Sequence, residues 1–351
     1  MKTTILLLNA AAALSLLASA SSCTKTRTDI GSGTGTYIEF ASILTRTTVE
    51  SPDDIDEFAV WGYYQNADGT YQDVFGQIGT ENTGVPVRNE NGGWVYDDLK
   101  KWEFGVRYNF YAIYPQHIKH LVEVPGIGGG DPFMSVLDYD VSAQDNDLMF
   151  AAAESIRYDD GETPAPVRFT FSHLLSKVDF IASIDPATIA NLPDFKAKIT
   201  EAKLYGMAKE AHLSAQDLEQ TDMTTVVWDT VDGTITDSSN PFKKIPESNI
   251  PASIELDSQE QSVFGKEFYV FPSGDISDYI LEIHWTVTAE AGASPIERSQ
   301  QIRLVSPNAR SWVAGKRYRY SFTISDTDHI LFDIPSVTPW TDASGGIIVV
   351  E

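Results

Sequence analysis

The 351-residue chain has a single cysteine, Cys23, so no disulfide can form within it. Basic residues are scarce: 25 Lys and Arg stand against 50 Asp and Glu, a net charge of −25. Nucleic acid is therefore not expected as a partner, because its binding needs a basic surface that displaces counterions. Beyond the first 22 residues no segment reaches the ~18 uninterrupted apolar residues of a membrane-spanning helix. Helical periodicity is nearly absent; residues 186–192 and 209–221 allow about two turns each. Glycine (24) and proline (17) stand at ordinary levels, which excludes a collagen-like chain. Signatures of the common catalysts are missing too: there is no G-x-S-x-G, no H-E-x-x-H and no phosphate-binding loop. No enzyme activity, cofactor or metal is expected. A glycosidase is the one class this argument leaves open, since its two carboxylates come from separate strands.

The informative features begin at the N-terminus. Residues 1–22 have the form of a secretory signal: Lys2, then an apolar stretch from Ile5 to Leu17, then the small residues Ala18 to Ser22. Cys23 follows directly, a placement that resembles a bacterial lipoprotein signal, in which the thiol is lipidated and the cysteine becomes the new N-terminus. A free exposed thiol would otherwise be a liability. Lipidation at Cys23 implies an anchor in the outer membrane. Residues 24–36 are small and polar, with the composition of a flexible tether.

From Tyr37 onward the pattern is of strands. Ile38, Phe40 and Leu44 fall on one side of an extended segment and Glu39 on the other. Phe58 to Tyr64 is apolar on both faces, and Asp68-Gly69 turns it back into Tyr71 to Phe75, a hairpin. Further candidate strands are 94–96, 104–114, 147–152, 167–171, 177–182, 199–205, 225–228, 264–271, 279–287, 301–305 and 317–324. Leu281, Ile283, Trp285 and Val287 should face inward, as should Tyr318, Tyr320, Phe322 and Ile324. Many short strands between Gly, Asp, Asn and Pro indicate an all-β protein of sandwiches. Two tandem domains are expected, 47–162 and 163–351, divided in the Asp159-to-Pro166 stretch.

Candidate sites of chemistry are few. His117 and His120, three apart, could offer two metal ligands on a helix, but no cysteine is near. Gly126 to Gly130 is glycine-rich, yet Asp131-Pro132 follows, so no helix N-terminus is offered to a phosphate. The acidic run Asp138 to Asp147 lacks the glycine and final glutamate of an EF-hand loop. Adjacent acids at Asp53-Asp54, Asp97-Asp98 and Asp159-Asp160 point to opposite sides of an extended chain and read as loop charge. The 17 Phe, 15 Tyr and 7 Trp suit sandwich cores better than a sugar-stacking strip.

In combination, five stretches resemble the fimbrillin family, subunits of type V pili and related lipoproteins of Gram-negative anaerobes. They are the start ending at Cys23; the strand before Thr45-Arg46-Thr47; Phe58 to Tyr64 with Trp94 to Trp102 and Tyr108 to Pro115; Asp147 to Ala151 with Phe171 to Val178; and Ile334 to Trp340 with Gly345 to Val350. The resemblance implies two transthyretin-like Greek-key β-sandwich domains. It also implies export as a lipoprotein, cleavage between Arg46 and Thr47 by an arginine-specific surface protease, and polymerisation with other fimbrial subunits by strand exchange. Carried onto this chain, the removable strand is Tyr37 to Leu44, with Tyr37, Ile38, Phe40 and Leu44 its named residues. The donor strand is Ile347, Ile348, Val349 and Val350. Asp229-Thr230-Val231 looks like the short O-glycosylation site such bacteria use. Two other readings compete: a surface-anchored lipoprotein that binds a glycan or host receptor without polymerising, and a glycosidase.

Overall fold

A computed structural model describes residues 36–41, 44–45, 55–77, 80, 82–123, 135–144, 146–159, 164–214, 227–247, 253–325 and 330–339. The doubly apolar run becomes the strand Glu57–Gln65, buried without a break from Phe58 to Tyr63. Both of its faces are covered. Phe58 and Val60 look into one core, while Ala59, Trp61 and Tyr63 look into a second, larger one. Gly62 lies against the Phe110 ring, where a Cβ would stand 2.6 Å from a ring carbon.

Around this strand an eight-stranded sheet forms in the order Leu44–Thr45, Thr170–His173, Met149–Arg157, Arg107–Tyr114, Glu57–Gln65, Val85–Glu90, Gly93–Val95. Tyr71–Phe75 also pairs with Glu57–Gln65, completing the hairpin expected at Asp68-Gly69. The first core packs on one face of this sheet and includes Ile38, Phe40, Tyr96, Trp102, Val167, Phe169 and Phe171.

The larger core takes in the other face of the first sheet and residues of two further sheets. In one, Ser176–Ile184 runs parallel to Lys316–Ile324, with Ile330–Phe332 and Ser336–Pro339 along the far edge. In the other, Lys196–Tyr205 pairs with Ile280–Thr288, which pairs with Ile296–Arg303. Leu281, Ile283, Trp285 and Val287 all point inward, as do Tyr318, Tyr320, Phe322 and Ile324. A β-bulge at Thr200 resets the alternation, so that Ile199 and Ala202 both face the core. Close packing extends to Gly206, whose φ of +98° and 2.2 Å approach of the Asp278 carbonyl to a would-be Cβ exclude a side chain.

A small fourth sheet joins Asp229–Thr230, Glu210–Ser214, Ser135–Asp140 and Val122–Glu123. Here the two helical turns that 209–221 would allow do not form over its first part: Glu210–Ser214 is a strand, and residues 215–221 lie outside the described residues. Pairing with Ser135–Asp140 buries Ala211 and Leu213 at period two, which outweighs a weak helical pattern. The other short helix is present as Pro186–Asn191, where the Asp185 carboxylate accepts from the Thr188 N–H at 3.0 Å. The strand expected at 301–305 begins earlier, as Ile296–Arg303, and that at 264–271 narrows to Phe268–Val270. Residues 160–163, where the domain division was expected, lie outside the described residues. The strands on either side of them, Met149–Arg157 and Thr170–His173, pair with each other.

Candidate functional site

The site is the slot that holds the N-terminal segment. Its floor is the first sheet, which presents Phe58, Val60, Tyr108, Phe110, Ala112, Met149 and Ala151 on one face. One wall is the Tyr96-to-Trp102 segment and the other is Val167 to Phe171. Alternation places Val167, Phe169 and Phe171 inward, all buried, with Arg168 outward.

Residues 36–41 lie between these walls. The Ile38 N–H donates to the Lys100 carbonyl at 2.9 Å, and the Trp102 N–H donates to the Thr36 carbonyl at 3.0 Å. On the other side the Ala41 N–H donates to the Val167 carbonyl at 3.0 Å, and the Val167 N–H to the Glu39 carbonyl at 2.7 Å. Pairing is antiparallel at Tyr37 with Lys101 and parallel at Phe40 with Val167. It continues as a parallel ladder of Leu44 with Thr170 and Thr45 with Phe171. The Tyr96 hydroxyl donates to the Ile38 carbonyl at 2.8 Å and accepts from the Lys100 N–H at 3.2 Å. Lys101 closes the rim with its ammonium 5.5 Å from the centre of the Tyr37 ring.

Ile38 and Phe40 keep only 1% and 6% of their surface exposed, while Glu39 faces solvent. Phe40 sits in a box of five rings. Phe169 stacks on it at 5.7 Å, and Phe58, Phe75, Tyr96 and Phe110 meet it edge-on at 5.5 to 6.4 Å. Burial pushes the Tyr96 hydroxyl up to about 12, against the pull of the Lys100 N–H. Tyr108 is likewise pushed up to about 12 by burial; its hydroxyl accepts from the Glu103 N–H. Both phenols therefore stay neutral at any physiological pH.

Of the residues singled out from sequence, Tyr37, Ile38 and Phe40 are brought together in this slot. Leu44 is described by its backbone ladder alone. Cys23, Arg46, Thr47, Ile347, Ile348, Val349, Val350 and the Gly126-to-Gly130 run lie outside the described residues. The slot's walls fall on the Trp94-to-Trp102 stretch and the 167–171 strand read from sequence, but neither was read as a neighbour of the N-terminal segment. Tyr96 and Trp102 stand about 60 residues from the segment they hold, and nothing in their local pattern marks them as its neighbours.

The remaining candidates have structural surroundings. His117 and His120 sit on the 3-10 turn Gln116–Leu121, where His120 Nδ1 lies 2.8 Å from the His117 carbonyl; among the described residues no metal-ligand group includes them. Asp140 caps the turn Val141–Gln144, accepting from the Ser142 and Ala143 N–H groups, and Asp138 pairs with His212 at 3.5 Å. Thr230 lies exposed on the short strand Asp229–Thr230.

Glu201, Glu282 and His284 converge on the outer face of a sheet, the one such trio with metal-ligand atoms among the described residues. Lys203 enters the same group, 2.9 Å from Glu201, and Gln301 and His284 hold the two oxygens of Glu282. Burial raises the Glu282 carboxyl, but these hydrogen bonds outweigh it and hold it below the usual range. The arrangement is a closed ion-pair network. A cavity of about 170 Å³, lined by Met207, Trp228, Thr230, Phe271, Ser273 and Tyr279 among others, has no carboxylate or imidazole among the described residues that line it. Among the described residues every Phe and Trp except Phe104 is buried or half-buried.

These features define an all-β protein whose first core is completed by a strand from its own N-terminus. A family description, fimbrillin-like, matches residues 45–340, and the chain belongs to that family. Among solved structures it is similar to a fimbrial protein from Bacteroides vulgatus, with a TM-score of 0.56 at 14% identity over 87% of this chain and 99% of that one. A candidate cell adhesion protein from Bacteroides uniformis aligns at a TM-score of 0.46 and 19% identity, over 88% and 99% of the two chains. The fimbrial anchor protein Mfa2 from Porphyromonas gingivalis aligns at 0.33 and 12%, over 87% and 97%. The first of these supports the fold. No curated protein sequence gives a significant match.

Proposed function

We infer that this chain is a subunit of a cell-surface fimbrium that acts in adhesion, held before assembly by its own N-terminal strand. Export would proceed as a lipoprotein lipidated at Cys23, with residues 24–36 as the tether to the outer membrane. An arginine-specific surface protease would cut between Arg46 and Thr47, freeing Tyr37 to Leu44. The vacated slot would take a strand from another subunit. The C-terminal run Ile347 to Val350, after the Gly345-Gly346 pivot, would be donated in turn. Head-to-tail repetition of such a contact gives an open filament, because a heterologous interface need not close. The two sandwiches would be of the transthyretin type. The reading calls for no catalytic residue.

One observation carries this reading: Ile38 and Phe40 are core residues, yet they belong to a segment that ends a few residues before Arg46. Taking the segment away would leave the Trp102 and Val167 N–H groups without acceptors and an aromatic box empty. Such an edge is a template for strand addition. The test uses the source cells. Wild-type chain in sheared surface filaments should begin at Thr47 and run as a heat-labile ladder, and Arg46→Ala should accumulate uncleaved outside the filaments. Equal incorporation of the variant would overturn the processing step. Wild-type chain that stays monomeric on the surface and binds a glycan or host ligand would favour the non-polymerising reading.

A further inference from the structure

The shape of the slot also says which strand fits it. Resting on the strand-exchange reading above, we propose that this slot selects an incoming strand with an aromatic residue two positions after an aliphatic one. The run named above for donation, Ile347 to Val350, does not meet that requirement.

The argument starts from the two buried side chains. Ile38 is buried in the first core with its carbonyl held by the Tyr96 hydroxyl, and Phe40 fills the five-ring box. The box is lined by rings of Phe58, Phe75, Tyr96, Phe110 and Phe169, each anchored in a strand or wall that also serves the rest of the core. Phe58 packs in addition on Phe171 and Trp94, and Phe110 on Tyr108 and Trp102. Such a box cannot shrink around a smaller side chain without disturbing those contacts. A β-branched residue in the Phe40 place therefore leaves a void, and a void in a close-packed interior forfeits contacts outright.

This chain's own C-terminal run is aliphatic only: Ile347, Ile348, Val349, Val350. Any alternate pair of these residues gives aliphatic-x-aliphatic. The nearest aromatic before this run, Trp340, stands on the far side of Gly345-Gly346 and follows Ser336–Pro339. That short strand is already paired residue by residue with Lys316 to Arg319. Placing Trp340 in a neighbour's box would put Thr338, which pairs with Arg317, in the aliphatic position and strip the strand from its own sheet. The chain's tail and its slot are thus mismatched at one position.

The test uses the full chain nicked after Arg46, with fluorescent peptides competing for the slot. Three peptides are compared: residues 36–45, the same peptide with Phe40→Val, and residues 344–351. Expected are uptake of the first peptide, and affinities at least tenfold weaker, on the order of a hundredfold, for the other two. If all three bind alike, the selection is refuted while strand exchange stands. If the residue 36–45 peptide never enters the nicked chain, exchange itself fails and the selection falls with it.

Discussion

Replacing Phe40 by Ala in the uncleaved chain should loosen the N-terminal segment while leaving the larger core intact. The side chain is 94% buried and touches five rings, so the loss combines apolar transfer and cavity terms, about 3–5 kcal/mol for a buried Phe→Ala. The two cores are distinct clusters on opposite faces of the first sheet, so this cost should fall mainly on local opening of the slot. Amide hydrogen exchange reads it directly. The Trp102 and Val167 N–H groups donate to the segment's backbone, and their protection should fall by about a hundredfold to several thousandfold. Amides of the Ile280–Thr288 strand should hold theirs. Unchanged exchange at Trp102 and Val167 would refute the assignment of Phe40 as the anchor. An equal loss at every site would refute the claim that the slot opens independently.

Other consequences follow from the same contacts. Tyr96→Phe removes the hydroxyl that donates to Ile38 and accepts from Lys100, and should cost about 0.5–1.5 kcal/mol in the same exchange assay. Because folding raises the Tyr96 and Tyr108 phenols from 10.0 to about 12, their contribution is complete below pH 10 and is lost as pH climbs toward about 12; pH titration of tryptophan fluorescence should show that alkaline limb flattened in Tyr96→Phe with Tyr108→Phe. Gly62→Ala should destabilise by about 1–3 kcal/mol in urea melts, since its Cβ would overlap the Phe110 ring. Glu201→Gln, in the half-exposed ion-pair network, should change stability by less than about 1 kcal/mol, and EDTA should leave the melting curve unmoved.

Much of the fold was legible because its signals are local. Alternation fixes Ile280–Thr288 and Lys316–Ile324 and names their inward residues, and a doubly apolar run marks Glu57–Gln65 as a strand covered on both sides. Ile38 and Phe40 were legible as a buried face for the same reason. Val85–Glu90 was missed, its Val-Pro-Val pattern broken by Pro86, and Ser135–Asp140 was hidden by its acids. Glu210–Ser214 imitated a helix because only its long-range partner reveals period two. The slot's walls are non-local throughout: Tyr96 and Phe169 meet Phe40 across gaps of about 56 and 129 positions, which no spacing rule encodes.

The central claim is that the place held by residues 36–41 can be emptied and refilled by another chain. Intact-mass analysis of the nicked protein, incubated with an isotopically heavy copy of that strand, tests it most directly. The account predicts one-for-one replacement after cleavage at Arg46 and none before it. A nicked chain that remains folded and keeps its light strand indefinitely would contradict it.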